Sequence, residues 1–382
     1  MSPVDARAVR RLRVLVVAPS RYPLRQPHAG GLEACVWDRV RWLRARGHEV
    51  TLCAAEGSDF LGEADEFRLP APEWDRPEDA SDSGYPAGYT DAVDTALDAA
   101  LDRLRADRDR YDVVDNHSLH AGPILWSRDA DIPVVTTLHT PPLEPMLDAA
   151  ARVRDSAHRF VAVSQTTARA WSIEGVDSFV FANGVDTDRW TRGPGGTQWV
   201  WSGRIVPEKA PHLAIEAART AGAQLVVAGR IGDVDYFHQE VAPRLGAHAR
   251  YVGALRQPEL CRVVGESAVA LVTPMWEEPF GLVIAEALAT GTPVAAFDIG
   301  GVSEVLEGMP STAIVTPGDV TALAHAAADL AEKGASEPLT RVWTRRAAVR
   351  EHSQSRRYRE VERVLTHAAR PVMARRVPAV SW

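Results

Sequence analysis

The 382-residue sequence has little cysteine, no long apolar run and no concentrated block of basic charge. Its three cysteines, Cys35, Cys53 and Cys261, stand far apart with no Cys-x-x-Cys or His/Cys ligand spacing, which excludes a disulfide framework and a cysteine-built metal site. They read as free thiols of a reducing compartment, so a cytoplasmic location is the expectation. No window approaches the roughly 18 apolar residues of a membrane span, and the apolar run after the charged N-terminal residues is only about six long, too short for a signal peptide. Lys and Arg number 43 against 51 Asp and Glu, for a net charge of −8, and the basic residues are dispersed. That balance argues against nucleic acid or an anionic membrane as the main partner.

What is present is a repeated alternation of buried-strand and helix patterns. Val14 to Ala18 is an unbroken apolar run, a loop follows to Gly30-Gly31, a helical pattern runs from Leu32 to Arg46, and Val50 to Ala54 is the next run. This is a βαβ unit with a right-handed crossover. Gly30-Gly31 is either an anion site, where glycine lets backbone N–H groups approach a ligand, or a plain turn. Further runs end in polar residues: Val113-Val114 before Asp115-Asn116-His117, Val134 to Leu138 before His139, Phe160 to Val163 before Ser164, and Phe179 to Phe181 before Asn183-Gly184. Ligands bind at that edge of open α/β sheets, which singles out His139, although an ordinary hydrogen-bonded strand-end histidine reads the same way. Arg192 to Thr197 reads as a linker, and a second series of runs follows, at Val200-Trp201, Leu225 to Ala228, Tyr251-Val252, Ala268 to Val272, Val294 to Phe297 and Ile314-Val315. Helical patterns separate them, among them Asp235 to Leu245 and Gly281 to Thr290. The expectation is an α/β chain of two doubly wound sheets facing across a cleft, divided at residues 1–192 and 193–352, with 353–382 as a returning helix and tail.

The second half carries the chemistry. The stretch from Thr273 to Glu304 reads strand, loop, helix, Gly-Thr-Pro, strand, and holds Glu278 before a helix mouth and Glu286 within the helix. Eight helical residues turn the second carboxylate by about 80° and advance it roughly 12 Å, so the two line one cleft at different depths. A helix mouth favours phosphate, while carboxylates favour hydroxyls, and a nucleotide sugar offers both. Arg204 and Lys209, on a Pro-bearing loop after the second unit's first strand, suit a diphosphate, Arg by its fork and Lys as a point charge.

The stretches SGRIVPEKA, EEPFGLVIAEALATGTPVAA, VAVSQTTA, NGVDTDRW and GGLEACVWDRVRWLRARGHEV resemble the retaining nucleotide-sugar glycosyltransferases of family 4, which have the GT-B fold, and within them actinobacterial enzymes acting on small molecules. The resemblance implies that Arg204 and Lys209 hold the donor diphosphate and that Glu278 binds sugar hydroxyls. It puts the N–H groups of Phe280, Gly281 and Leu282 on sugar and phosphate, and Glu286 on the ribose. Gly30 and Gly31 would approach from the first domain, His139 would lie over the anomeric centre, and Gly229, Arg230, Val252 and Leu255 would meet the base. UDP is the expected nucleotide. No metal or other cofactor is expected, because the two cations take a metal's part and no Asp-x-Asp stands at a strand end. The acceptor is expected to be a small molecule, with an amino sugar or aminocyclitol suggested by the acidic segment from Glu56 to Asp112, if that segment faces the acceptor pocket. Asp115-Asn116-His117 falls in the family's variable segment and receives no role. Rival readings are a GT-B epimerase, hydrolase or phosphorylase, the last disfavoured where it needs pyridoxal phosphate because lysine is scarce, and a non-catalytic nucleotide-sugar-binding module.

Overall fold

The computed structural model describes residues 10–62, 67–74, 82, 84–153, 158–337 and 339–369. Two parallel sheets organise them. The first contains β1 (Arg13–Val17), β2 (Glu49–Ala55), β3 (Arg68–Leu69), β4 (Val113–Asn116), β5 (Val134–Leu138), β6 (Arg159–Ala162) and β7 (Phe179–Val180), in the order β3-β2-β1-β4-β5-β6-β7. The second contains β8 (Trp199–Ser202), β9 (Leu225–Ala228), β10 (Ala249–Tyr251), β11 (Ala270–Val272), β12 (Val294–Phe297) and β13 (Thr312–Val315), in the order β10-β9-β8-β11-β12-β13. In each, strand order reverses beside the unit's first strand: between β1 and β4 in one, and between β8 and β11 in the other. A crevice opens at such a switch point, because the crossovers on its two sides leave in opposite directions.

The apolar runs explain why both faces of each sheet are covered. Along β1, Val14 and Val16 join Val36, Val40 and Leu43 of the helix Gly31–Ala45 in one core, while Leu15 and Val17 join Leu97, Leu101 and Leu104 of the helix Tyr89–Ala106 in another. Alternate residues thus serve opposite faces, and each buried Val or Leu contributes about 1.5–3 kcal/mol relative to exposure. The second sheet repeats the plan. Val200, Ala270 and Ala296 pack with Ile284 and Leu288, whereas Trp199, Trp201 and Leu271 pack with Ile215 and Leu323.

One expected element differs. In place of a single helix from Asp235 to Leu245, the chain makes an α turn at Val234–Tyr236, a π turn at Phe237–Val241 and a 3₁₀ turn at Ala242–Arg244. Asp233 starts it by accepting from the Tyr236 N–H at 2.8 Å. Pro243 has no N–H to donate, so a regular α ladder cannot continue through it.

The chain finally crosses back to the first sheet. Val185 exchanges hydrogen bonds with His352 and Gln354, each 2.8 Å, and the helix Gln354–Ala368 places Val361 and Leu365 in the core shared with β1. Glu304 closes the other side of the cleft by accepting from the Gln165 N–H at 2.7 Å and from the Thr166 N–H, at the start of the helix Gln165–Ile173. A carboxylate of one unit therefore caps a helix of the other. Among the described residues, no helix is long and apolar enough to cross a membrane.

Candidate functional site

The two switch points face each other, and the loops leaving them supply the polar residues. After β8 comes Arg204, then a 3₁₀ turn, Pro207–Lys209, that presents Lys209. After β11 comes the loop holding Trp276 and Glu278, then the helix Leu282–Ala289. Lys209 Nζ pairs with Glu278 Oε2, the Trp276 indole N–H donates to the same oxygen at 3.1 Å, and the ammonium lies 4.8 Å from the Trp276 ring centroid. Glu278 is 8% exposed, so this pair is largely screened from water yet reachable.

The backbone holds Glu278 from behind. Gly300, after β12, has φ of 64°, and a Cβ there would stand 2.3 Å from the Glu278 nitrogen, while the Gly301 N–H donates to the Glu278 carbonyl at 2.6 Å. Only glycine permits both that conformation and that approach. Gly281 caps the following helix in the left-handed region, and the N–H groups of Phe280, Gly281 and Leu282 donate to nothing among the described residues. Three free donors at a helix mouth form an anion-binding cradle. The Phe280 ring belongs to the core, so only its backbone faces the ligand space.

From the first unit, Gly30 and Gly31 come against this surface. A Cβ on Gly30 would lie 3.4 Å from Arg204 Cδ, and one on Gly31 would lie 3.4 Å from Leu282 Cδ1. Glu286, one turn into the helix, faces Asp38 of the helix Gly31–Ala45. Burial first, and the Asp38 charge second, push its pKa up to about 8. Its carboxylate has no hydrogen-bond partner among the described residues, so it is poised for donors such as hydroxyls.

Arg230 joins Arg204 through a residue of the acidic segment. Asp82 accepts from Arg204 at 2.6 Å and from Arg230 at 2.7 Å, its N–H donates to the Gly232 carbonyl at 3.0 Å, and the Tyr22 hydroxyl donates to it. Burial alone would raise the Asp82 pKa, but the Arg230 and Tyr22 hydrogen bonds outweigh it and hold it low. The expectation that the acidic segment faces an acceptor pocket therefore fails for Asp82, whose charge is spent on the two arginines. Residues 63–66, 75–81 and 83 of that segment lie outside the described residues. Gly229 follows β9 with φ of 150°, where a Cβ would overlap the Gly203 carbonyl oxygen. Val252 and Leu255 line a groove with Gln198, Arg262 and Ser267. Gln198 and Ser267 precede β8 and β11, whereas Arg204 and Glu278 follow those strands.

His139 stands at the end of β5, 8% exposed, with Nε2 hydrogen-bonded to His117 Nδ1 at 2.8 Å. Burial, then the charges of His117 and Arg39, depress its pKa well below the ordinary histidine value, so the ring is neutral.

Comparison with known proteins places this geometry. Residues 29–189 match the family described as Glycosyltransferase Family 4, and residues 190–350 match that described as Glycosyl transferases group 1. A D-inositol 3-phosphate glycosyltransferase of Gordonia bronchialis is 30% identical over 357 residues, 78% of this chain and 76% of that protein. The chain belongs to the family 4, group 1 glycosyltransferases. A glycogen synthase of Mycobacterium tuberculosis is 31% identical over 265 residues, and the match spans 62% of that protein's length. A phosphatidyl-myo-inositol mannosyltransferase of Mycobacterium leprae is 26% identical over 344 residues, 82% of this chain and 86% of that protein. Among solved structures, Anabaena HepE in complex with UDP and glucose superposes with a TM-score of 0.71 at 19% identity, covering 93% of this chain and all of that one. That likeness, and one of TM-score 0.72 to a Thermosynechococcus elongatus sucrose-phosphate synthase at 16% identity, covering 94% of this chain and 99% of that one, establish the GT-B fold.

Within this family 4 glycosyltransferase, the structure adds residues that the sequence reading passed over. Trp276 and Asp82 are joined by Glu33, in the first turn of the helix Gly31–Ala45, a buried carboxyl whose pKa burial raises and which Arg204 and Arg230 partly draw back. Glu33 carried a visible signal, a carboxylate two residues past a glycine pair at a helix start. Asp82 carried none, since nothing local distinguishes it from the acidic residues around it.

Proposed function

We propose that this chain transfers a glycosyl group from a nucleoside-diphosphate sugar, with UDP the expected nucleotide, to a hydroxyl of a small-molecule acceptor, and retains the anomeric configuration. The observation that carries the reading is the cluster of Lys209, Glu278 and Trp276 beside Arg204 and the unsatisfied N–H groups of residues 280–282, all opposite Gly30-Gly31. Departure of the nucleoside diphosphate leaves negative charge on phosphate, which Arg204, Lys209 and the helix mouth stabilise where it develops. No metal or other cofactor enters this proposal, because the side-chain cations supply the counter-charge. Glu278, held from behind by the Gly301 amide, accepts from sugar hydroxyls, and Glu286 accepts from the ribose.

Relatives named for D-inositol 3-phosphate and phosphatidyl-myo-inositol favour a cyclitol-type acceptor. The amine-bearing variant, an amino sugar or aminocyclitol, draws on Asp94, an exposed carboxylate of the acidic segment that pairs with His120 at 3.2 Å near the ends of β1 and β4. The test is incubation with UDP-sugars and a panel of cyclitols, amino sugars and simple sugars, with the product's anomeric linkage read by NMR. The expected product carries the same anomeric configuration as the donor. An inverted linkage overturns the retaining assignment, and donor hydrolysis or epimerisation with every acceptor would replace transfer by a rival activity on the same cleft.

A further inference from the structure

Arg204, Lys209 and Arg230 each meet a carboxylate of this chain. Lys209 pairs with Glu278, which the proposed function sets aside for sugar hydroxyls, and Arg204 Nη2 meets the partly exposed Glu208 Oε1 at 3.3 Å, one turn on along the same loop. An exposed pair of that kind holds weakly. The firmer hold on the arginines comes across the cleft from the first unit, where Asp82 Oδ2 accepts from Arg204 Nη1 at 2.6 Å and both Asp82 oxygens accept from Arg230 Nη2 at 2.7 Å. No step of the donor chemistry described above uses it. The contact is built from both sides: the Tyr22 hydroxyl donates to Asp82 Oδ1, the Arg230 guanidinium lies 4.5 Å from the Tyr22 ring centroid, and the Asp82 N–H donates to the Gly232 carbonyl at 3.0 Å. A Cβ on Gly232 would stand 2.5 Å from Asp82 Oδ2, so a residue with no side chain is what lets the carboxylate in so close.

Resting on the reading of the cleft as a nucleotide-sugar site, we propose that Asp82 is an autoinhibitory anion: it holds the Arg204 fork assigned to the donor diphosphate, together with Arg230 beside it, and so weakens the grip of the cleft on donor and product nucleotide. A carboxylate and a phosphate seek the same planar donors of a guanidinium. A phosphate oxygen that takes the Arg204 Nη1 proton replaces Asp82, and one that takes a neighbouring N–H of the same fork is left only a few ångströms from it. The Asp82 side chain is 4% exposed, so little water screens the two anions and their repulsion is strong. Protonation offers no escape. Burial alone would raise the Asp82 pKa, but the Arg230 and Tyr22 hydrogen bonds keep it low, and the carboxylate stays charged. Whether the diphosphate displaces Asp82 or settles beside it, part of its attraction to the arginines goes into opposing this ion pair. The same competition acts after transfer, when Asp82 can take back both guanidinium groups as the nucleoside diphosphate leaves.

The experiment is calorimetric titration of the full chain with UDP, with inorganic pyrophosphate and with uridine, in the wild type, in Asp82→Asn, which keeps size but loses the charge, and in Tyr22→Phe, which loses the hydroxyl that orients the carboxylate. The expected result is that Asp82→Asn binds UDP and pyrophosphate about tenfold more tightly than the wild type while uridine is unaffected. Tyr22→Phe moves in the same direction by a smaller factor. Without nucleotide, Asp82→Asn melts below the wild type, because two guanidinium groups have lost their partner. A contact that merely joined the units would lower the melting temperature too, but would leave UDP binding unchanged or weaker. That result in Asp82→Asn overturns the proposal, as does equal tightening of uridine, and if Asp82→Asn does not fold, Tyr22→Phe decides by the same criterion. Failure of the wild type and both variants to bind UDP or pyrophosphate overturns the nucleotide-sugar reading and this inference with it, whereas wild-type binding without tightening in the variants overturns this inference alone.

Discussion

In the proposed function, Lys209, Glu278 and Glu286 divide the work of the cleft by charge and depth. Lys209 sits between an aromatic face and a carboxylate, so a diphosphate bound as proposed would find an ammonium already held in place. Removing a group that stabilises developing charge typically lowers kcat by about 100-fold or more, and Lys209→Ala and Glu278→Ala are each expected to do so without unfolding the chain, as judged by circular dichroism beside the assay. Wild-type turnover in either would remove that residue from the site. Glu286 makes a separate prediction. Its folded pKa, about 8, lies above the 4.5 of the free side chain, so its contribution to stability is complete below pH 4.5 and is lost as pH rises toward and through 8. Between those values the native state binds more protons than the unfolded one, and stability declines with pH. Glu286→Gln should flatten that decline in melting temperature. If a ribose diol is bound by the ionised carboxylate, UDP binding at pH 7 also releases a proton, detectable as a buffer-dependent calorimetric heat that disappears in Glu286→Gln.

Elements place these residues through a small number of backbone constraints. The helix Leu282–Ala289 was legible in the sequence because Pro279-Phe280-Gly281 and Gly291-Thr292-Pro293 bracket an apolar octet, and the observed boundaries fall within a residue of those signals. The strands were equally legible, since buried parallel strands are uninterrupted apolar runs. What local signals could not supply was the far partner: Gly300 against Glu278, Asp82 against Arg204 and Arg230, His117 against His139. Each joins residues distant in sequence, and nothing in the neighbourhood of either one announces the other. The helix from Asp235 misled for the opposite reason, as its apolar period continues through Pro243, where the hydrogen-bond ladder cannot. Gly300→Ala tests the placement of Glu278 by an element. A left-handed φ costs a non-glycine residue roughly 1–2 kcal/mol, and the new Cβ must push the Glu278 backbone aside. The expected result is a modest fall in melting temperature with a disproportionate fall in kcat; a loss of stability with turnover unchanged would free Glu278 from that loop.

At the scale of the whole molecule, two doubly wound units put their switch points face to face, and neither holds a complete site alone. The first brings the glycine pair, Glu33, Asp82 and His139; the second brings Arg204, Lys209, the helix mouth and both glutamates. The Glu304 carboxylate at the start of the helix Gln165–Ile173, and the Gln257 N–H donating to Gln26 Oε1 at 3.2 Å, tie the halves together around the cleft. The two-unit plan was readable from the repeated alternation and the linker, whereas the pairing of residues across the cleft belongs only to the assembled chain. Nucleotide binding in this cleft is therefore measured most directly by a thermal-unfolding titration with UDP. A ligand that binds only the folded chain adds about 2.7 kcal/mol at 100 times its Kd. The expected result is a concentration-dependent rise in melting temperature for the wild type that is lost in Lys209→Ala and Arg204→Ala. No rise with UDP or any other nucleoside diphosphate, or an equal rise in both variants, would contradict it.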